Sequence, residues 1–428
     1  MRAILTGLRL SKEGYSSSRC KHTLWAFLIV LGMGCSASST VVPQADGDSQ
    51  PVHAESPTDT DRVQGGDNEV KATITDVNEV DGPVRKETLV GYYAWWMKGA
   101  WMDLDLEVYD RIVFFTTRPG SDGRIQTRNG WPHAWVSFLG RSDSLGIPVV
   151  PALALMEADS IKTLFSSKEA VNNLIETALM LVEESRGAGV HLDIELFEAV
   201  VDSVRDGFYH FTDSLAIRMA QEWPEATLSM FAPAFDYDGL YDLERIHDGY
   251  SQIMVQGYDL HWQTGPSAGP VATLKGWNGA NWEDVLIRYK KAGISSDRII
   301  MTVPYYGYEW PVETSKPGAA TRGEARIITY ALIDSLILPQ YQISIDERVT
   351  EFGASRDSVS GSPYYIFSDS SGYWQGWFED ETSLRTKYTF VQENGLRGIA
   401  TFPMGYDKGI LDAQLKAHFG RRLPRVKN

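Results

Sequence analysis

Residues 187–195 read Gly-Ala-Gly-Val-His-Leu-Asp-Ile-Glu. Val190, Leu192 and Ile194 alternate with His191, Asp193 and Glu195. This is the period of a β-strand, with one aliphatic face and one face carrying three ionisable groups about 6–7 Å apart. Two carboxyls and an imidazole so spaced can pass protons, and neighbours two residues apart can share an ion. An ordinary half-exposed strand would show the same alternation with its polar face in water. The surroundings favour chemistry: a long amphipathic run precedes the stretch, and further strand–helix alternation follows. In a parallel barrel such a strand packs its aliphatic face on helices and turns its polar face to the C-terminal mouth, where active sites sit.

The elements that must position these groups begin at Thr88. Leu89–Trp96 reads as a first strand and Arg111–Thr116 as a second; Asn129-Gly-Trp-Pro predicts the start of a helix running through Trp135 and Phe138. A third strand covers Ile147–Met156. A helix over about 167–186 carries apolar residues at Val171, Leu174, Ile175, Ala178 and Leu179. The fourth strand spans about 187–196, and a helix over about 205–222 ends before Pro224. Strands five to eight fall at Ala226–Pro233, Gln252–Asp259, Arg298–Pro304 and Gly398–Phe402, with a closing helix over about 408–419. Eight strands separated by helices predict an α/β fold, a (β/α)8 TIM barrel over residues 87–420. Residues from about 309 to 380 are too many for a loop and contain strand-like runs, which predicts a small α+β insertion between strand 7 and helix 7.

Ahead of the barrel, residues 1–22 are basic and mostly polar, and Thr23–Cys35 is an apolar run too short to span a membrane comfortably. Together they read as a signal peptide over 1–35. Cys35, just after Gly34, sits where a bacterial lipoprotein signal places its acylated cysteine. This predicts an exported protein, tethered to the membrane of the cell envelope or secreted. Residues 36–86 are rich in Ser, Thr, Pro, Gly, Asp and Glu and read as a disordered linker. The other cysteine, Cys20, lies within the signal, so the predicted domain has neither disulfide nor thiol nucleophile. A net charge of −16 argues against nucleic acid as a partner. The 13 Trp and 20 Tyr suit a surface that stacks on sugars, and equally a large core.

These pieces together resemble glycoside hydrolase family 18, the chitinase-like family, over residues 88–420. The family signature Asp-Gly-x-Asp-x-Asp-x-Glu closes its fourth strand, and Ala188–Glu195 stands there. The terminal Asp-x-Glu is kept, while Ala188 and His191 replace the first and middle aspartates. Gln256-Gly-Tyr258-Asp259 stands for Met-x-Tyr-Asp on strand six, and Val303–Trp310 follows the Pro-Phe-Tyr-Gly pattern after strand seven. The run from Trp377 to Lys387 and Gly395–Ile399 matches the approach to strand eight. Phe402 stands where the family has a tryptophan under the sugar, and the Ser-x-Gly-Gly of strand three is missing.

The resemblance implies a retaining, substrate-assisted hydrolase of β-linked N-acetylglucosamine in chitin or chito-oligosaccharides, without cofactor or metal. The substrate's own acetamido carbonyl replaces an enzyme nucleophile. Glu195 would be the general acid, Asp193 would orient the acetamido group and Tyr258 would hydrogen-bond its oxygen. Asp259, Gln256, His191 and Tyr92 would contact the sugar, and Trp95, Trp96, Trp310 and Phe402 are candidates for stacking. Two adjacent carboxylates cannot comfortably both ionise. A histidine at 191 removes that repulsion and predicts slower turnover, with activity lost on the acid side as the imidazole charges. Alternatives are a chitinase-like binding protein with weak or no catalysis, a hydrolase of peptidoglycan or the N-glycan core, and a metal-dependent hydrolase using His191, Asp193 and Glu195 as ligands.

Overall fold

The computed structural model describes residues 85–420 apart from 197, 237–238, 247–249, 278–280, 333–337 and 339–340. Cys35, the signal and most of the linker lie outside the described residues.

Eight parallel strands close into a barrel: β1 (Thr88–Ala94), β2 (Arg111–Pro119), β4 (Val149–Leu155), β5 (Gly189–Ile194), β6 (Thr227–Ala232), β7 (Gln252–Gln256), β8 (Ile299–Pro304) and β15 (Gly398–Phe402). Pairing of β1 with both β2 and β15 completes the ring. A short β3 (Ile125–Thr127) extends β2 at its edge. The outer helices are α1 (Val136–Ser144), α2 (Ala158–Phe165), α3 (Lys168–Glu184), α4 (Asp202–Glu222), α5 (Leu243–Ile246), α6 (Trp282–Lys291), α8 (Glu381–Glu393) and α9 (Ile410–Phe419).

Alternation explains the core. Val190, Leu192 and Ile194 of β5 are buried, and the adjacent α3 buries Leu174, Ala178 and Leu181. Each of the valine, leucine and isoleucine side chains contributes about 1.5–3 kcal/mol. Local chemistry sets the helix starts. The Ser167 hydroxyl accepts from the Ala170 amide at the head of α3, and Asp380 and Ser383 form a capping box on α8.

Several boundaries differ from the sequence reading. The helix expected from Asn129 starts at Val136, because Asn129 and Gly130 both take positive φ (47° and 84°) and make a turn instead. The first strand stops at Ala94, and Trp95–Met97 forms a single 3-10 turn. The sixth stops at Gln256, leaving Tyr258 and Asp259 in a loop where Asp259 has φ 55°. The short α2 escaped prediction.

Between β8 and α8 the chain builds a second sheet. Its strands are β9 (Tyr306–Val312), β10 (Arg326–Thr329), β11 (Ile343–Ser344), β12 (Ser355–Arg356), β13 (Pro363–Asp369) and β14 (Gly372–Trp377), with helix α7 (Ile345–Phe352). The order is β11-β10-β9-β14-β13-β12, antiparallel except for β10 with β11. It starts one residue after β8, so its first strand leaves directly from the barrel mouth.

Candidate active site

Register on β5 aims the polar face into the barrel. His191 pairs with Ala152 on β4 and Ser229 on β6, and Asp193 pairs with Ala154. His191 is fully enclosed, Asp193 is 4% exposed and Glu195 is half-buried at the strand end, where its amide donates to the Leu155 carbonyl. The three residues therefore form a column that reaches solvent at Glu195.

Each level has its own partners. Deep in the barrel, Arg111 of β2 donates to the Gln252 side chain of β7 at 2.5 Å. His191 lies between two hydroxyls, with Nε2 3.0 Å from Tyr92 Oη and Nδ1 3.0 Å from Ser229 Oγ. The Asp193 and Glu195 carboxyls lie close enough to hydrogen-bond once one of them is protonated, and Asp193 Oδ1 has no other hydrogen-bond partner among the described residues. At the mouth Asp259 Oδ1 accepts from Tyr306 Oη at 2.8 Å and Tyr308 Oη at 3.0 Å, both hydroxyls coming from the inserted β9.

Burial dominates the electrostatics. It pushes the Asp193 carboxyl up to about 7, although the hydrogen bond with Glu195 pulls the other way. Burial, and then the negative charge of Asp193, raise Glu195 well above the ordinary carboxyl range. Asp259 rises to about 6 by burial, offset by the two tyrosine donors. His191 moves in the opposite sense, down to about 3, because burial and then the Arg111 charge disfavour the imidazolium. This overturns the expectation that His191 charges as the pH falls towards mild acidity. Nor does His191 offer a sugar any surface; it supports the site from below.

The aromatic candidates separate in the same way. Phe402 is half-buried and its ring lies parallel to that of Tyr258 (9°, 5.9 Å), with Tyr92 and Phe115 edge-on at 5.7 and 5.3 Å. Trp95 keeps some exposure, whereas Trp96 is buried with its indole N–H donating to Tyr406. Trp310, expected to stack on sugar, is fully enclosed and donates to the Trp262 carbonyl at 3.3 Å, so it is packing between the mouth loop and the inserted sheet. Tyr92 is likewise 4% exposed, its hydroxyl directed at His191 rather than at the cleft. Gln256 is half-buried at the end of β7, in register with Thr302.

Sequence reasoning missed Trp262, 45% exposed three residues after Asp259, and Tyr241, whose hydroxyl donates to the Ile194 carbonyl at 2.6 Å. It also missed the bracing role of Tyr306 and Tyr308, although both lay in a quoted motif. Among the described residues no group of three or more His, Cys, Asp or Glu is placed to hold a metal ion. Both His191 nitrogens already face hydroxyls.

A hydrogen-bonded carboxyl pair, buried enough to keep its protons and open at one end, can hand a proton to a leaving oxygen at a pH where free carboxyls are ionised. Residues 150–407 match the family described as Glycosyl hydrolases family 18, and the chain belongs to that family. A cortical fragment-lytic enzyme of Bacillus anthracis is 20% identical over 255 residues, 58% of this chain and 53% of that enzyme. Di-N-acetylchitobiase of Mus musculus is 29% identical over 148 residues, 33% of this chain and 40% of that one. The chain thus spans about half the length of these relatives or less. Among solved structures, the class V chitinase of Nicotiana tobaccum in complex with NAG4 superposes with TM-score 0.66 at 14% identity, covering 79% of this chain and all of that one. The spore cortex-lytic enzyme SleL of Bacillus megaterium gives TM-score 0.62 at 18% identity, over 81% and 77% of the two chains. These two share the barrel fold.

Proposed function

We propose that the chain is a retaining, substrate-assisted glycoside hydrolase that cleaves β-linked N-acetylglucosamine in chitin or chito-oligosaccharides. The observation that carries this reading is the Asp193–Glu195 pair, two adjacent carboxyls raised in proton affinity by burial, with Glu195 half open at the barrel mouth. Glu195 gives its proton to the glycosidic oxygen as the bond to the anomeric carbon breaks. The substrate's acetamido oxygen closes on that carbon from the opposite face, and the ionised Asp193 holds the acetamido N–H. Tyr258 donates to the acetamido oxygen, and Asp259 borders the ring. Water, deprotonated by the Glu195 carboxylate, then opens the cyclic intermediate and restores the configuration.

If the acetamido group reacts, chito-oligosaccharides are cut and fully deacetylated glucosamine oligomers are not; equal cleavage of both would sink the mechanism. The relatives named for spore-cortex lysis favour peptidoglycan as a second substrate, and release of reducing ends from purified sacculi decides between the two. Lipid attachment at Cys35 stands as part of the same proposal. Cys35→Ser should move the protein from the membrane fraction to the soluble one, and unchanged fractionation would remove the anchor.

A further inference from the structure

His191 is the one ionisable group of the β5 polar face that reaches neither solvent nor a carboxyl. A neutral imidazole offers one N–H and one lone pair. The hydroxyls of Tyr92 on β1 and Ser229 on β6, each 3.0 Å from a ring nitrogen, take up both. Among the described residues Asp193, the next side chain on the same face, makes no hydrogen bond to His191, whose two ring nitrogens are taken. Its carboxyl meets that of Glu195, and Oδ1 has no other hydrogen-bond partner among the described residues. The charged or titratable groups facing the pair are Tyr92 from β1, Tyr241 from the loop after β6, and Tyr258 and Asp259 after β7. Arg111 of β2 acts on His191. The described surroundings of the pair thus supply no cation at its own level, and His191, kept uncharged, supplies none from below.

We propose that His191 is a positioning residue: with both nitrogens engaged by Tyr92 and Ser229, it denies Asp193 a partner deeper in the barrel and keeps Asp193 joined to Glu195 in the resting enzyme. The inference rests on the reading of Glu195 and Asp193 as the reacting pair. A carboxyl at 191 would share a proton with Asp193 and give it a second position, pointing down the barrel axis. The imidazole gives none, so Asp193 already faces the acetamido group when substrate arrives. The protons of the site are then divided between two carboxyls and not three.

The test compares His191→Asn, which keeps a neutral donor and acceptor, with His191→Asp, which adds a third carboxyl. The side-chain carboxyl of Asp193 is titrated by 13C NMR, and pH–rate profiles are recorded on a chromogenic N,N′-diacetylchitobioside. Asn should leave the Asp193 midpoint within about 0.3 pH unit of wild type, whereas Asp should displace it by about one unit or more, with the acid limb of kcat following. Superimposable titrations of wild type and His191→Asp would overturn the proposal, since a merely structural residue moves stability and not proton affinity. Should His191→Asp fail to fold, 15N NMR of the wild-type imidazole still decides. A neutral ring from pH 5 to 8 supports the proposal, and an imidazolium in that window refutes it. The NMR arms need no substrate, so loss of the hydrolase reading, as by a fully active Glu195→Gln, is told apart from loss of this one.

Discussion

Two regions of this chain bury carboxyl groups and treat them in opposite ways. In the inserted sheet, Glu309 is fully enclosed, yet Arg326 and Arg348 each reach Oε1 at 3.3 Å and the Tyr365 hydroxyl donates to Oε2 at 2.8 Å. Arg326 also lies 3.7 Å over the Trp374 ring. Where the insertion meets α8, Glu379 bonds Lys387 Nζ at 2.6 Å and the Ser362 hydroxyl at 3.1 Å, with both charged side chains at 1% exposure or less. On the barrel axis Asp193 and Glu195 have each other, and among the described residues no cation is paired with either. Ion pairing distinguishes the two regions, but an unpaired buried carboxyl is not by itself a site: on α9, Asp412 is also pushed up, to about 8, by burial and then the Asp407 charge. The paired carboxyls spend their oxygens on fixed ion pairs, while the carboxyls of Asp193 and Glu195, raised by burial, are held towards the protonated form that a proton donor needs.

The largest effect that could break this contrast is on turnover. Glu195→Gln keeps the shape of the pair and removes the transferable proton, so kcat should fall about 10²–10⁴-fold with oligosaccharide binding retained. Calorimetric binding beside a turnover assay checks both halves, and residual activity above a few per cent would place the acid elsewhere.

Next comes stability. Lys387→Met strands Glu379 in the interior and should cost about 3–5 kcal/mol in denaturant unfolding while leaving the pH–rate profile unmoved. A shifted profile would mean that the compensated ion pair also serves the site.

The smallest and most pH-specific effect concerns Asp193. Its proton affinity is raised in the folded protein, from 3.8 to about 7, so the fold favours the protonated form. That contribution to stability is complete below the unfolded value and is lost as pH rises through the folded one. Asp193→Asn is always neutral and should therefore gain about 1–3 kcal/mol over wild type at pH 8 and almost nothing at pH 4, while losing activity. Thermal unfolding at the two pH values reads it, and an equal gain at both would show that the effect is not protonation. The same raised affinity places the acid limb of wild-type activity above the ordinary carboxyl range, through Asp193 and not His191.

Much of the barrel was legible because its strands are short aliphatic runs and its helices carry apolar residues at helical spacing. The polar face of β5 was legible for the same reason, since alternation fixes which side chains share a face. What the chain could not reveal alone was long-range. Ser229 lies 38 residues from His191 and Tyr92 lies 99 away, so only closure of the barrel shows that the imidazole is held between hydroxyls and kept neutral. Trp310 looked like a stacking residue because tryptophan is as good a filler as a platform, and its burial depends on a sheet assembled from distant segments. The helix start at Asn129 was misplaced by left-handed backbone at two consecutive residues. Trp262 carried no periodic signal.

The bracing of Asp259 by Tyr306 and Tyr308 has a consequence for recombination. Both hydroxyls belong to the first strand of the insertion, which follows β8 without a loop. A chimera joined at the natural seam after Pro304 would discard both hydroxyls together with the donor sheet and leave Asp259 to whatever the new module supplies. A junction beyond Val312 would carry them over intact. The inserted sheet is therefore not an interchangeable accessory: its opening seven residues are inherited with the cleft.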